Sequence, residues 1–152
     1  MKSGAEPGFF ESIGICIIKY AVFTGRASRS EFWWWSLFQF LIVAAFDAMV
    51  IPQQIRELVN TASTGVIPPL DTTQATVQLI GTLFSLVLFL PTVAVTVRRL
   101  HDIGKSGWWY FYGLIPLLGW FSMLAWMCRK GTEGSNRFGA DPQKPGYFGN
   151  IA

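Results

Sequence analysis

Three long apolar runs dominate the pattern of the chain, at residues 32–51, 77–97 and 108–127. Each has roughly 20 residues, or about 30 Å as a helix, which matches the hydrocarbon thickness of a bilayer. The second and third runs contain no Asp, Glu, Lys or Arg, and the first contains only Asp47. A soluble core helix would carry a polar stripe. The pattern therefore predicts three transmembrane helices.

Shorter signals flank these runs. Apolar residues recur at nearly helical spacing over 9–23, a segment too short to span, which predicts an interfacial amphipathic helix. Ser28 and Glu31 have the spacing of a reciprocal capping box that would start the first span. Pro52 is typical of a new helix start, here a short amphipathic stretch ending near Asn60.

The remaining connections are more polar. A loop is predicted over 61–70, and Asp71 with Gln74 gives a weaker cap signal for the second span. Gly, Pro and Asn are frequent after residue 130. The expected organisation is an N-terminal interfacial helix in 1–24, a transmembrane domain over 25–130 and a polar tail over 131–152. The expected fold class is an all-α membrane protein, a small bundle of three transmembrane helices.

Composition agrees with a membrane location. Of 152 residues, 51% are apolar and 14% are charged, which leaves too few charges to cover a soluble globule.

Cys16 and Cys128 are far apart, so neither a disulfide framework nor a zinc ribbon is indicated. The N-terminus lacks the features of a cleaved signal, so the first span is expected to serve as an uncleaved one. Trp33, Trp34 and Trp35 begin the first span and predict an aromatic belt at the interface.

The 12 Lys and Arg residues leave two topologies open. Three spans with the N-terminus inside place seven basic residues in the cytoplasm and five outside, a weak positive-inside bias. A re-entrant third run, broken near Pro116, would place eleven on one face and one on the other. Such a break leaves backbone groups that need protein or water around them. Three spans are therefore the primary prediction.

Candidate chemistry concentrates at the end of the second span. Asp102 lies three and four residues after Arg99 and Arg98, so one helical turn would pair all three. The cluster is interpreted as an interfacial charge network, and the sharper hypothesis is that its surplus arginines bind an anionic headgroup, a phosphate or an acidic partner. No nucleophile or paired carboxylate accompanies His101, and no Cys cluster indicates zinc. Neither an enzymatic activity nor a cofactor is expected.

Several motifs together resemble a known family. They are Gly25-Arg26-Ala27-Ser28-Arg29-Ser30-Glu31-Phe32-Trp33-Trp34, Arg98-Arg99-Leu100-His101-Asp102, Ser106-Gly107-Trp108-Trp109, Pro116-Leu117-Leu118-Gly119 and Gly131-Thr132-Glu133-Gly134-Ser135-Asn136-Arg137-Phe138-Gly139 with Asp141-Pro142. In order and separation they resemble the bacterial inner-membrane family called domain of unknown function 805. The resemblance implies a small multi-pass protein of the bacterial inner membrane and implies no reaction, substrate or cofactor.

We expect these motifs to form one polar plate at the membrane interface, with the tail folding back over the charged cluster. Its candidate residues are Gly25, Arg26, Ser28, Arg29, Glu31, Arg98, Arg99, His101, Asp102, Ser106, Gly107, Trp108, Asn136, Arg137, Gly139 and Asp141.

Two functions remain open. The first is a non-enzymatic scaffold, assembly partner or lipid-contacting protein, with membrane lipids, anionic headgroups, further copies of the chain or another membrane protein as partners, and no nucleic acid. The second is a small transporter or channel subunit that encloses a polar path as an oligomer. Asp47 would act in it as a proton or cation relay, unless it only snorkels to the interface. The polar lining would be Gln39, Asp47, Thr82, Ser85, Thr92 and Thr96.

Overall fold

The computed structural model describes residues 6–66 and 71–144, and in these ranges the chain is helical without a β-strand. The helices are α1 (Phe9–Ile18), α2 (Arg29–Thr64), α3 (Thr72–Asp102), a 3₁₀ helix (Gly107–Leu114) and α4 (Leu118–Cys128). The predicted all-α class is confirmed for this part of the chain. Parts of the predicted N-terminal segment, first loop and tail, at 1–5, 67–70 and 145–152, lie outside the described residues.

Among the described residues, the two longest helices are long and apolar enough to cross a membrane. α2 has 36 residues and α3 has 31, so they are about 54 and 46 Å long, more than a hydrocarbon core requires. Their apolar side chains are largely exposed, as Phe40 at 66% and Leu86 at 68% illustrate. Buried core helices of a soluble protein do not present such surfaces to water, so these faces fit lipid.

The first connection differs from the predicted one. Pro52 does not start a new helix, because α2 continues through it to Thr64. A membrane helix tolerates proline, since neighbouring groups can satisfy the carbonyl that it leaves free. The cap at the start of α3 is confirmed: Oδ1 of Asp71 accepts hydrogen bonds from the amides of Thr73 at 2.8 Å and Gln74 at 3.4 Å.

The third apolar run is not one straight helix. The 3₁₀ helix ends at Leu114, α4 begins at Leu118, and between them Leu117 has a left-handed φ of 63°. Pro116 disfavours helical geometry at the residue before it and helps to break the run. The two halves fold against each other, and the rings of Tyr112 and Trp126 are 5.6 Å apart. The predicted three spanning helices are therefore not confirmed.

Gly119 permits the close packing of this helical hairpin. A Cβ atom at this position would overlap the carbonyl oxygen of Tyr112, so the start of α4 can approach the 3₁₀ helix only because residue 119 is glycine. At the other end of the hairpin, Nζ of Lys105 lies 4.3 Å from the ring centre of Trp109 and 4.1 Å from that of Trp126. This cation–π contact joins the two arms.

α1 occupies the predicted amphipathic segment. It buries Ser12, Ile15 and Cys16 and exposes Phe10 at 84%. The ring of Phe9 lies 5.7 Å from that of Trp34, which places the beginning of α1 beside the first turns of α2. The interfacial position of α1 stays a prediction, since an exposed apolar face is also what a helix in contact with lipid chains presents.

The chain divides into two compact units. Residues up to 37 together with those from 90 onward form one unit, and residues 38–89 form the other. The first contains α1, the first turns of α2, the last turns of α3, the helical hairpin and the tail. It holds all the candidate site residues.

Candidate interfacial site

The entry into α2 is shaped by the first family motif. Gly25 has a φ of 84°, which suits glycine, and Oγ of Ser28 accepts a 3.1 Å hydrogen bond from the amide of Glu31. Only half of the predicted capping box forms. The carboxylate of Glu31 does not return to the cap, because it binds Nη1 of Arg98 at 2.6 Å.

Glu31 and Arg98 form a fully buried ion pair. In the described part of the chain, Oε2 of Glu31 and both Nε and Nη2 of Arg98 have no hydrogen-bond partner. A pair with unsatisfied atoms stabilises little in itself, but loss of either partner leaves an uncompensated buried charge.

Cys16 lies near this pair. Its burial and, to a smaller extent, the negative charge of Glu31 raise the pKa of the Cys16 thiol to about 12, so this thiol stays protonated.

Asp102 is the centre of a second buried ion-pair cluster. Its Oδ1 accepts a 2.9 Å hydrogen bond from Nε of Arg26 and lies 2.8 Å from Nη2 of the same side chain, and its Oδ2 pairs with Nη1 of Arg99. The prediction that Arg98 also pairs with Asp102 is wrong. Consecutive helix residues point about 100° apart, so Arg98 and Arg99 serve different carboxylates.

The same arginines bind backbone carbonyls at the end of α4 and in the segment that follows it. Arg99 donates to the carbonyl of Met127 at 3.3 Å and to that of Arg129. Arg26 donates to the carbonyls of Thr132 and Gly134, each at 2.5 Å. The last carbonyls of a helix lack internal partners and carry partial negative charge, which suits the guanidinium at the end of α4.

The tail folds over this cluster, as predicted. Thr132 donates from its amide and its hydroxyl to the carbonyl of Asp102, at 2.9 and 3.0 Å. Nδ2 of Asn136 donates to the carbonyl of His101 at 3.0 Å, and Arg137 donates to that of Gly104 at 3.2 Å. Together these bonds hold the tail on the end of α3.

Two further tail residues shape its own turn. Gly139, at φ 140°, exchanges two 3.0 Å backbone hydrogen bonds with Asn136. The carboxylate of Asp141 accepts 3.0 Å hydrogen bonds from the amides of Gly134 and Gln143. Asp141 therefore stabilises the tail locally and makes no ion pair with the arginine cluster.

His101 joins three parts of the site. Its Nδ1 lies 3.1 Å from the carbonyl of Gly25, and its ring is stacked on Phe138 with centres 4.0 Å apart. The imidazole is thus held between the segment before α2 and the tail. These contacts are those of a packed structural histidine.

The third motif begins the helical hairpin. A Cβ atom at Gly107 would lie 2.8 Å from Cγ1 of Val97, so close packing on α3 requires glycine there. The carbonyl of Ser106 accepts a hydrogen bond from the amide of Trp109 at 3.1 Å. Trp108 is 78% exposed and takes no part in the buried network.

Arg29 differs from the other arginines of the motif. It is half-buried, and its guanidinium group makes no hydrogen bond or ion pair within residues 6–66 and 71–144. It borders an open groove of about 570 Å³. The lining residues are Glu6, Arg29, Ser30, Trp33, Trp34, Leu37 and Cys128.

Some site residues were not predicted. Gly131 is one, because a Cβ atom there would overlap the carboxylate of Asp102, and Thr132 is another. Both stand in the tail motif, which was the available signal.

Trp35 does not belong to an exposed belt, since it is buried and its indole donates to Oγ1 of Thr92 at 3.0 Å. Over the described residues no cluster of three His, Cys, Asp or Glu forms a metal site.

The sequence comparisons decide the family. The model of a family described as protein of unknown function (DUF805) matches residues 20–140. The chain belongs to the DUF805 family. The match covers the first motif, the arginine–carboxylate network and the first ten residues of the tail, so the buried contacts among them are contacts of the family region.

Two relatives of this DUF805 chain are named inner membrane proteins. It is 33% identical over 127 residues to inner membrane protein YhaH of Escherichia coli K12, covering 82% of this chain and 89% of that protein. It is 31% identical over 124 residues to inner membrane protein YhaI of the same strain, covering 82% and 88%. No solved structure matches.

Proposed function

We propose that this protein crosses the bacterial inner membrane twice, through α2 and α3, and that the helical hairpin is re-entrant. The network supports this topology. Arg26 precedes α2, Asp102 ends α3, and Thr132 follows the hairpin, yet Arg26 bonds to both of the others. A segment that starts and ends in one buried cluster returns to the membrane face from which it left.

Charge supports the same topology. With two crossings, eleven of the 12 Lys and Arg residues lie on one face and Arg56 alone lies on the other. The positive-inside rule then places both ends of the chain in the cytoplasm. The alternative of three crossings would separate Arg26 and Asp102 from the tail carbonyls that they contact.

Compartment-sensitive reporters test this topology. One reporter is fused before Met1 and a second, in a separate protein, after Ala152. We expect both to report the cytoplasm. Opposite locations would contradict the re-entrant hairpin and restore three spans.

For its molecular function we propose a non-enzymatic scaffold that contacts anionic lipid through Arg29. The observation that carries this proposal is the difference between Arg29 and the other three arginines of the site. Arg26, Arg98 and Arg99 are buried and paired, whereas Arg29 has no partner within the described residues and borders an open groove. Arg26, Arg98 and Arg99 pair with only two carboxylates, those of Glu31 and Asp102, so positive charge is already in excess before Arg29 is counted.

The groove matches the chemistry of a lipid headgroup. A guanidinium binds phosphate oxygens in a bidentate manner, and the Ser30 hydroxyl can donate beside it. Trp33 and Trp34 are 39% and 38% exposed, as expected of indoles at the headgroup level. Glu6 also lines the groove, but Gln143 donates to its carboxylate at 3.0 Å.

Lipid retention tests the function. The protein is purified from nanodiscs of phosphatidylcholine and phosphatidylglycerol in equal parts, and bound phosphatidylglycerol is measured by native mass spectrometry. Arg29→Gln should lower its apparent affinity about tenfold, the contribution of one charge-assisted contact. Arg56→Gln is the matched control, because it removes the same charge outside the groove. Equal retention by both variants would contradict the proposal.

A further inference from the structure

A second cavity lies in the unit of residues 38–89, between α2 and α3. It has a volume of about 400 Å³, within the range of cavities that hold small organic ligands. Its wall is both polar and apolar. The lining residues are Val43, Phe46, Asp47, Val50, Ile51, Gln54, Val77, Gln78, Gly81, Thr82 and Ser85.

The electrostatics of this cavity select a cation. Asp47 is the one ionisable residue of the lining, and no Lys or Arg accompanies it. Within the described ranges its carboxylate makes no hydrogen bond or ion pair. A carboxylate in an apolar helix is costly unless it meets a counter-ion, so such residues are candidates for binding.

The polar lining adds acceptors around this charge. Thr82 donates its hydroxyl proton to the carbonyl of Gln78 at 2.8 Å, which leaves lone pairs on Oγ1 for a donor from a ligand. Ser85 stands one helical turn further along α3. Both residues belong to the polar path predicted from the sequence, whereas Gln39, Thr92 and Thr96 do not line this cavity.

The volume and the apolar surface of this cavity favour an organic cation over a bare metal ion. An ion would fill a small part of 400 Å³, and the aromatic face of Phe46 suits an organic body. The ring of Phe46 lies close to α3, because a Cβ atom at Gly81 would be 3.3 Å from its Cγ and the ring of Phe84 is 6.4 Å away.

We propose that this cavity binds an organic ammonium cation, with Asp47 as its counter-ion. The ammonium group donates to Asp47 and to the oxygens of Thr82 and Ser85, and the apolar part of the ligand packs on Phe46. The ammonium group belongs either to a soluble amine or to the ethanolamine headgroup of a lipid. This site is independent of the Arg29 groove.

Paired probes test this proposal on the full chain in phosphatidylcholine nanodiscs at pH 7. Phenethylamine carries the ammonium group, and 2-phenylethanol has the same shape without charge. We expect phenethylamine to bind at least tenfold more tightly than 2-phenylethanol. Equal affinities, or no binding of phenethylamine, would overturn the proposal.

Variants locate the effect. Asp47→Asn should abolish the preference for phenethylamine, and retained binding of 2-phenylethanol shows that its cavity is still formed. Asp47→Glu should restore the preference, which protects the test if the Asn variant folds poorly. Asp71→Asn is the matched control, because it removes one charge outside the cavity and Asn also caps a helix. A loss equal in Asp47→Asn and Asp71→Asn would overturn the proposal.

A lipid arm separates the two sources of the ammonium group. The phenethylamine titration is repeated in nanodiscs that contain phosphatidylethanolamine. Competition by this lipid identifies the headgroup as the ligand, whereas unchanged affinity identifies a soluble amine.

Discussion

The carboxylate of Glu31 and the guanidinium of Arg98 lie 2.6 Å apart, and neither side chain is exposed. The pair joins the first turn of α2 to the last turns of α3. Because each charge is buried, each depends on the other for compensation. This relationship makes the interfacial motif a structural requirement before it can serve any binding function.

A double-mutant cycle measures this dependence. Glu31→Gln leaves Arg98 buried and unpaired and should destabilise the protein by about 3–5 kcal/mol. Arg98→Met should cost a similar amount, and the double variant should be more stable than the sum of the two losses predicts. Thermal unfolding in detergent gives the three values. Strict additivity would show that the pair is not coupled.

Arg99 should be as important as this pair. It binds Asp102 and the carbonyls of Met127 and Arg129. Arg99→Ala should reduce membrane accumulation and lower the melting temperature, because Asp102 and the carbonyls lose their donor. Arg29→Ala provides the contrast, since it breaks no such contact. Unchanged levels and melting temperature in Arg99→Ala would contradict a structural role for the cluster.

Gly107 tests the packing of the hairpin on α3. Gly107→Ala should destabilise by about 1–3 kcal/mol, the usual cost of an overpacked core, because its Cβ would lie 2.8 Å from Val97. Adding Val97→Ala should recover part of the loss. Gly14→Ala is the control, as its Cβ would meet nothing within 4 Å. Equal melting temperatures for both glycine variants would reject this explanation.

Asp141 gives a pH prediction. Burial acts to raise its pKa, but the amides of Gln143 and Gly134 and the charge of Arg26 outweigh burial and hold the pKa below its ordinary value of 3.8. Because the folded pKa is lowered, its contribution to tail stability is present above pH 3.8 and is lost as pH falls through the lowered value.

The carboxyl carbon signal of Asp141 measures this pKa by NMR in detergent, with Asp141→Asn used for assignment. We expect a titration midpoint below 3.8. A midpoint at or above this value would show that the tail turn does not form in solution.

Parts of this architecture could be predicted from sequence and parts could not. Apolar runs identified α2 and α3 because uninterrupted hydropathy is a direct consequence of lipid contact. The break at Pro116 was ambiguous, since proline occurs in straight membrane helices as well as in hairpins. The feature that supports the proposed re-entrant hairpin is the contact of Arg26 with carbonyls beyond residue 130, which no local pattern encodes.

The candidate site shows the same limit. The motifs marked Arg98, Arg99 and Asp102 as one group, because Asp102 is at helical spacing from both arginines. The choice of Glu31 for Arg98 depends on which helix packs against each face of α3. Likewise, Arg29 and Arg26 look equivalent in sequence, and only their surroundings distinguish a buried ion pair from a cation at an open groove.

The bonds from Arg26 to the carbonyls of Thr132 and Gly134 also constrain biogenesis. More than 100 residues separate these partners, so the network cannot close until almost the whole chain has been synthesised. During translation, α2 and α3 are complete while Arg26 still lacks these acceptors. A chain that ends before residue 132 therefore leaves the buried guanidinium of Arg26 without two of its hydrogen-bond acceptors.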